Sequence, residues 1–416
     1  MRILVYPHAM EIGGSQLNAV QLAGAIAARG HHVVVLSEPG PLVDLISDLG
    51  LEHVEIPLSR RRPSPEVIGT LGRVVRERGI HLVHGYEWPP VVEALFGPGL
   101  RHRTAVLGTV MSMSVVPFFP KTVPLIVGTE QIRAAALAAG HRRVTLLEPP
   151  VDTDADDSAL SDGAGFRREH GIAPDEVLIA MVCRLVPELK LEGLLAACDA
   201  VGALAEAGRP VRLAIVGDGR SRPEVAERAA RANALAGREA VLLTGEVADP
   251  RPAYAATDVL VGQGGSALRG MAFGCPLVVV GEQGFSEQLT PESTPLFLRQ
   301  GWYGVGAGSL GTGVPALRLA LERLVDSAAT RRELGTYARR LVHERFSLHR
   351  AAELQEREYL TAVAERVPLG PLLTDLARTG AGVLTSTARR KYQRRRGTLA
   401  TDDANARPLA GPATNA

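Results

Sequence analysis

Short apolar runs alternate with stretches of helical spacing from the first residues of this 416-residue chain. Ile3 to Tyr6 is brief and apolar, as a strand buried on both faces should be. After a loop from Pro7 to Gly14, the residues Ala19, Leu22, Ala23 and Ile26 recur at helical spacing. Gly30 predicts a helix stop and Val33 to Leu36 the next buried strand. Helices near Pro41 to Leu49 and Pro65 to Arg78 continue the rhythm. So do strands at Leu82 to His84, Thr104 to Leu107 and Leu125 to Val127. Units of this length predict an α/β fold with a doubly wound parallel sheet.

The rhythm breaks between Glu148 and Asp175, across Pro149-Pro150 and the polar run Asp152 to Ser158. It restarts with predicted strands at Val177 to Cys183, Val211 to Val216, Val241 to Leu243, Val259 to Val261 and Leu277 to Val280. Helices are predicted between them, at Leu191 to Glu206, Pro223 to Leu235, Pro252 to Ala256 and Ser266 to Phe273. Further helical segments follow at Val314 to Asp326, Thr330 to Arg345 and Leu348 to Glu365. The expected division is therefore one Rossmann-like domain over 1–165 and a second over 166–345. C-terminal helices with a basic end then cover 346–396, and a disordered tail covers 397–416. Paired sheets of this kind are expected to face a central cleft, with sites at the carboxyl ends of the strands.

Composition narrows the classes. With 46% hydrophobic residues the chain can bury two cores, and its formal charge of +1 gives no global argument for nucleic acid. The cysteines Cys183, Cys198 and Cys275 are scattered, which excludes a disulfide scaffold and fits a reducing cytoplasm. The first residues enter a strand directly, so no signal peptide is expected, and no apolar stretch is long enough for a membrane span.

Candidate chemistry sits in three strand-end turns. Gly13 and Gly14 open backbone amides at a helix start, a ready anion site, although the G-x-G-x-x-G of a nicotinamide dehydrogenase is missing. Arg184 and Lys190 follow the first strand of the second domain, where a guanidinium and an ammonium could clamp a diphosphate. Gly264, Gly265 and Ser266 form another glycine-rich strand-to-helix turn. For each turn the plain structural reading, a loop without ligand, stays open; three of them near one expected cleft favour the anion. His84 ends a strand and is a candidate acceptor-side contact or a structural residue. Asp152, Asp154 and Asp156 imitate a calcium loop but lack its glycine and its final glutamate. No residue spacing suggests a metal site. Leu369, Leu372, Leu373 and Leu376 form an apolar stripe before a basic cluster, Arg389 to Arg396. The stripe either packs on the protein or, with the cluster, makes a peripheral membrane contact through 369–396.

These residues resemble glycosyltransferase family 4, of the GT-B fold. The similarity rests on Ile3-Leu4-Val5 with Gly13-Gly14, on Ala28 to Val33, and on Arg184 to Lys190. It continues through Leu213 to Gly219, Gly245-Glu246-Val247, Tyr254 to Val259 and Gly270 to Pro276. The resemblance implies a metal-independent, retaining transfer from a nucleotide-diphosphate sugar, a co-substrate in place of any cofactor. The acceptor would be a glycan, a lipid-linked glycan or a small molecule in bacterial glycan biosynthesis, in the cytoplasm or at the inner membrane face, with no nucleic acid as partner. It assigns catalysis to Arg184 and Lys190, and donor binding to Gly13, Gly14, Glu246, Val247, Gly264, Gly265 and Ser266. Two departures stand out. Arg269 occupies the place of a donor-contacting glutamate, leaving Glu282 or Glu287 as the substitute ribose contact. Gly108 to Met111 replaces a segment that usually carries a histidine. The rival readings are a catalytically inactive nucleotide-sugar-binding protein and a GT-B epimerase or hydrolase.

Overall fold

The computed structural model describes residues 1–11, 13–58, 62–365 and 367–396; the expected tail, 397–416, lies outside them. The chain divides into two compact units, one comprising Met1–Pro149 with Leu348–Ala416 and the other Pro150–Ser347.

In the first unit seven strands form one parallel sheet: β1 (Arg2–Tyr6), β2 (His32–Ser37), β3 (Glu52–Glu55), β4 (Leu82–Tyr86), β5 (Ala105–Val110), β6 (Leu125–Val127) and β7 (Val144–Leu146). Their order is β3-β2-β1-β4-β5-β6-β7. Alternate residues enter opposite cores. Leu4, Tyr6, Val34 and Leu36 pack on one side, and Ile3, Val5, Val33 and Val35 on the other. Burial on both faces is why these strands read as unbroken apolar runs. The helix Pro65–Arg78 shows how local sequence sets its limits. Ser64 caps it by accepting from the Val67 amide, Pro65 occupies its first turn, and Gly79 ends it in a left-handed conformation.

The second unit holds β8 (Val177–Val182), β9 (Val211–Val216), β10 (Val241–Gly245), β11 (Val259–Gly262), β12 (Leu277–Val280) and β13 (Ser286–Gln288). The order is β10-β9-β8-β11-β12-β13, parallel except for the antiparallel β13. The carboxyl ends of five strands therefore share one edge. The order of connection reverses at β8, between β9 and β11, where a crevice opens in such sheets.

Two expected boundaries are corrected. Residues 150–165 belong to the second unit: the Val151 amide bonds the Phe346 carbonyl at 2.8 Å, and the Val151 side chain joins one of that unit's cores. The polar run is structured throughout. Asp152 accepts from the Asp154 and Ala155 amides, and Asp157 accepts from the Ala159 amide and pairs with Arg339. The segment 346–396 is no separate appendage either. Ala351, Ala352, Tyr359 and Ala362 complete one core of the first unit, while Leu372, Leu376 and Val383 complete the other.

Candidate active site

The turns after β8, β9 and β10 are stitched by their backbones. The Cys183 amide bonds Val216 O at 3.0 Å, the Leu185 amide bonds Asp218 O at 2.8 Å, and the Gly217 amide bonds Gly245 O at 2.8 Å. Glycine is required at 217, because φ is +136° and a Cβ there would lie 2.1 Å from the Cys183 carbonyl oxygen. This stitching holds the segment from Cys183 to Lys190 over the edge of the sheet.

That segment contains the two expected cations. Arg184 is exposed. Lys190 is half-buried inside the helix Pro187–Glu206, just after a break where Glu188 and Leu189 leave helical geometry and Leu189 takes φ +62°. Burial pushes the Lys190 ammonium below its ordinary value; its electrostatic neighbours are Cys183 and Arg184. No carboxylate among the described residues pairs with it.

Gln263, after β11, donates its side-chain amide to the Leu189 carbonyl and so joins the break before Lys190 to the next turn. Its Oε1 is buried with no partner among the described residues. In that turn Gly264 takes φ +57° and donates its amide to Trp302 O at 2.6 Å. A Cβ on Gly265 would meet open space. The helix Gly265–Ala272 starts here, and its first amides are those a helix leaves without an internal acceptor. The Ser266 hydroxyl is already engaged: it donates to Val182 O at 2.6 Å and accepts from Tyr254 at 3.1 Å. Of Ser266, the backbone amide is what remains for a ligand. Among the described residues no cluster of His, Cys, Asp or Glu could hold a metal ion.

The remaining candidates separate. Glu246 is exposed at the end of β10 and Val247 half-buried beside it. Glu282 lies at the end of β12 against Tyr303; burial and this carboxylate together raise the Tyr303 phenol above its ordinary range. Glu287, the other candidate for a ribose contact, is engaged by the protein itself. It sits in β13, buried, and accepts from both the amide and the hydroxyl of Ser309, at 2.5 and 2.7 Å. In the first unit Gly13 caps the helix Gly14–Ala28, and a Cβ on Gly14 would meet open space.

His84 is corrected from an acceptor-side candidate to a structural residue. It is fully buried, with Nδ1 2.7 Å from the Tyr359 hydroxyl and Nε2 2.7 Å from Thr109 Oγ1. Burial lowers its pKa to about 3, and that of His141, another residue of the first unit, to about 4. Both rings titrate near 6.5 when unfolded. Their stabilisation is thus complete above pH 6.5 and is lost as the pH falls toward the folded values. We expect the melting temperature to drop between pH 6.5 and 4.5, each histidine contributing a slope of up to about 1.4 kcal/mol per pH unit. The same scan on His84→Gln should be flatter; an identical slope would clear His84 of the effect.

Arg269, unexpected at a donor-contacting position, points elsewhere. Its Nε donates to Asp156 at 2.8 Å, and Asp156 is only 2% exposed. Burial pushes the Asp156 carboxyl up despite this partner.

Two doubly wound α/β units with this chain order define the GT-B fold of glycosyltransferases. Residues 176–301, within the second unit, match the family described as "Glycosyl transferases group 1". A 2-deoxystreptamine glucosyltransferase of Streptomyces kanamyceticus is 27% identical over 241 residues, 56% of this chain and 58% of that protein. A glycosyltransferase structure from Rickettsia africae aligns with a TM-score of 0.71 at 15% identity, covering 87% of this chain and 98% of that one. HepE of Anabaena in complex with UDP-glucose aligns at 0.66 and 16% identity, covering 87% and 100%. These solved structures share the fold.

Proposed function

We propose that this protein transfers a sugar from a nucleotide-diphosphate sugar to an acceptor hydroxyl, with retention and without a metal. The observation that carries the reading is Lys190, a half-buried cation with no carboxylate partner among the described residues, held beside a glycine turn by Gln263. A diphosphate would supply the missing countercharge. In such a transfer the bond from the anomeric carbon to the phosphate oxygen breaks and the acceptor oxygen bonds that carbon, its proton passing to the leaving diphosphate. Negative charge grows on the leaving diphosphate, where Arg184, Lys190 and the amides of Gly265 and Ser266 would meet it. Fixed donors aimed at developing charge are usually the largest catalytic contribution. Glu246, Val247 and Glu282 keep their role as donor contacts in this proposal. The UDP-glucose in HepE and the glucosyltransferase relative support a UDP-hexose as the first donor to try. Three free thiols fit a cytoplasmic setting.

The test is release of nucleotide from UDP-, GDP-, ADP- and dTDP-sugars, in EDTA, with and without acceptors that include 2-deoxystreptamine and lipid-linked glycans. We expect release that depends on acceptor and survives the chelator. Release without acceptor would mark a hydrolase or an epimerase, and donor binding with no turnover a binding protein. Activity lost in EDTA and restored by magnesium or manganese would remove the metal-free mechanism.

A further inference from the structure

The transferase reading leaves the last helix unused. Leu369–Arg395 would extend about 40 Å at 1.5 Å per residue. Its inner face is fixed to the first unit. Leu372, Leu376 and Val383 enter that unit's core, and Asp375 accepts from the Thr122 amide and hydroxyl at 2.7 and 2.8 Å. Arg378 donates to the Phe119 carbonyl at 2.6 Å. A Cβ on Gly382 would collide with Phe118, so the two surfaces are in close contact.

The outer face is of another kind. Leu369, Leu373, Ala377, Ala381, Leu384 and Ala388 line it, with the three leucines 58%, 54% and 72% exposed. This surface carries no charge over five turns. It then meets a strongly cationic end: six of the eight residues from Arg389 to Arg396 are basic, and no acidic residue occurs between Asp375 and Arg396. The segregation is local, since the whole chain has a formal charge of only +1. Tyr392, 55% exposed, stands at the junction with the Arg396 guanidinium 4.7 Å from its ring centre.

We propose that this outer face docks on an anionic lipid bilayer. An apolar helix face enters the boundary between headgroups and acyl chains, and adjoining basic side chains gain from negative headgroups. Tyrosine, apolar in its ring and polar at its tip, suits that boundary. No helix among the described residues is long and apolar enough to cross a membrane, so the contact is one of lying on the surface. A second copy docking through the same helix face would cover the leucines, but that face has no acidic residue between Asp375 and Arg396 to set against the basic end. Anionic lipid satisfies both, and the surface stands whether or not the sugar-transfer reading holds.

The experiment is co-sedimentation of the full chain with vesicles of phosphatidylcholine alone or with 30% phosphatidylglycerol, at 0.15 M salt. The expected result is a preference of at least tenfold for the anionic vesicles. Leu373→Asp with Leu384→Asp should reduce partitioning at least tenfold, with the melting temperature unchanged because both side chains are exposed. Lys391→Glu with Arg395→Glu should abolish the anionic preference. Failure to sediment with either vesicle, or sedimentation unaffected by the leucine pair, would overturn the proposal. Dimerisation abolished by the leucine pair, without vesicle binding, would assign the face to a second copy. Binding to a DNA duplex as tight as to vesicles and indifferent to the leucines would assign the basic end to polyanions.

Discussion

Lys190→Ala should lower sugar-transfer turnover by about 10²–10³-fold, or roughly 3–4 kcal/mol of transition-state stabilisation, while the protein stays folded. The two halves of this expectation come from one observation. The ammonium is half-buried and burial disfavours its charge, yet no carboxylate among the described residues offsets that cost. Removing it should therefore leave the melting temperature unchanged or slightly higher. A lysine present only to brace its turn would give the opposite pair of results, a lower melting temperature with turnover intact. Kinetics and thermal melts on the same preparation decide between them. Lys190→Arg keeps the charge but enlarges the head, so it should recover only part of the activity.

The second large effect concerns Arg269→Glu, the change that restores the carboxylate usual in the resembled family. Intuition from that resemblance would predict a gain of activity; the structure predicts a loss of stability. Glutamate would face Asp156, a carboxyl already disfavoured by burial and deprived of the guanidinium that bonds it at 2.8 Å. Breaking a buried pair by removing one partner costs about 3–5 kcal/mol, and a like charge in its place adds to that. Urea unfolding should show the free energy of unfolding fall by this amount, the midpoint shift multiplied by the m-value. Exchanging the pair, Asp156→Arg with Arg269→Asp, should recover part of it. An Arg269→Glu protein as stable as the parent would mean that the pair contributes nothing.

The interior strands were legible because they are buried on both faces and so consist of apolar residues with no alternation. β3, β7 and β13 were not foreseen, and each lies at the edge of its sheet. Edge strands have one neighbour and can be short and polar; Glu52-His53-Val54-Glu55 and Ser286-Glu287-Gln288 carry no strand signal. The place of Glu287 was illegible for the same reason: it lies in an edge strand, bound to Ser309. Gly264 was legible for a related reason: its φ of +57° demands glycine, and the residue marks its own position. Gln263 carries no such mark. Its bond to the Leu189 carbonyl depends on a break in helical geometry that no local periodicity announces. His84 misled because an apolar strand ending in histidine looks the same whether the ring meets a substrate or the Tyr359 hydroxyl.

The chain leaves the first unit at Pro149 and returns to it only at Leu348, which sets an order of assembly during synthesis. Domains of a growing chain ordinarily fold in sequence, the N-terminal one first. Here Pro150–Ser347 is contiguous and can close as soon as it leaves the ribosome. The earlier-made Met1–Pro149 must wait, both cores lacking the side chains contributed by Tyr359, Leu372 and Leu376. On a ribosome adding about 5–20 residues per second, that half spends ten seconds or more with apolar surface uncovered. The unit made first is the last to finish.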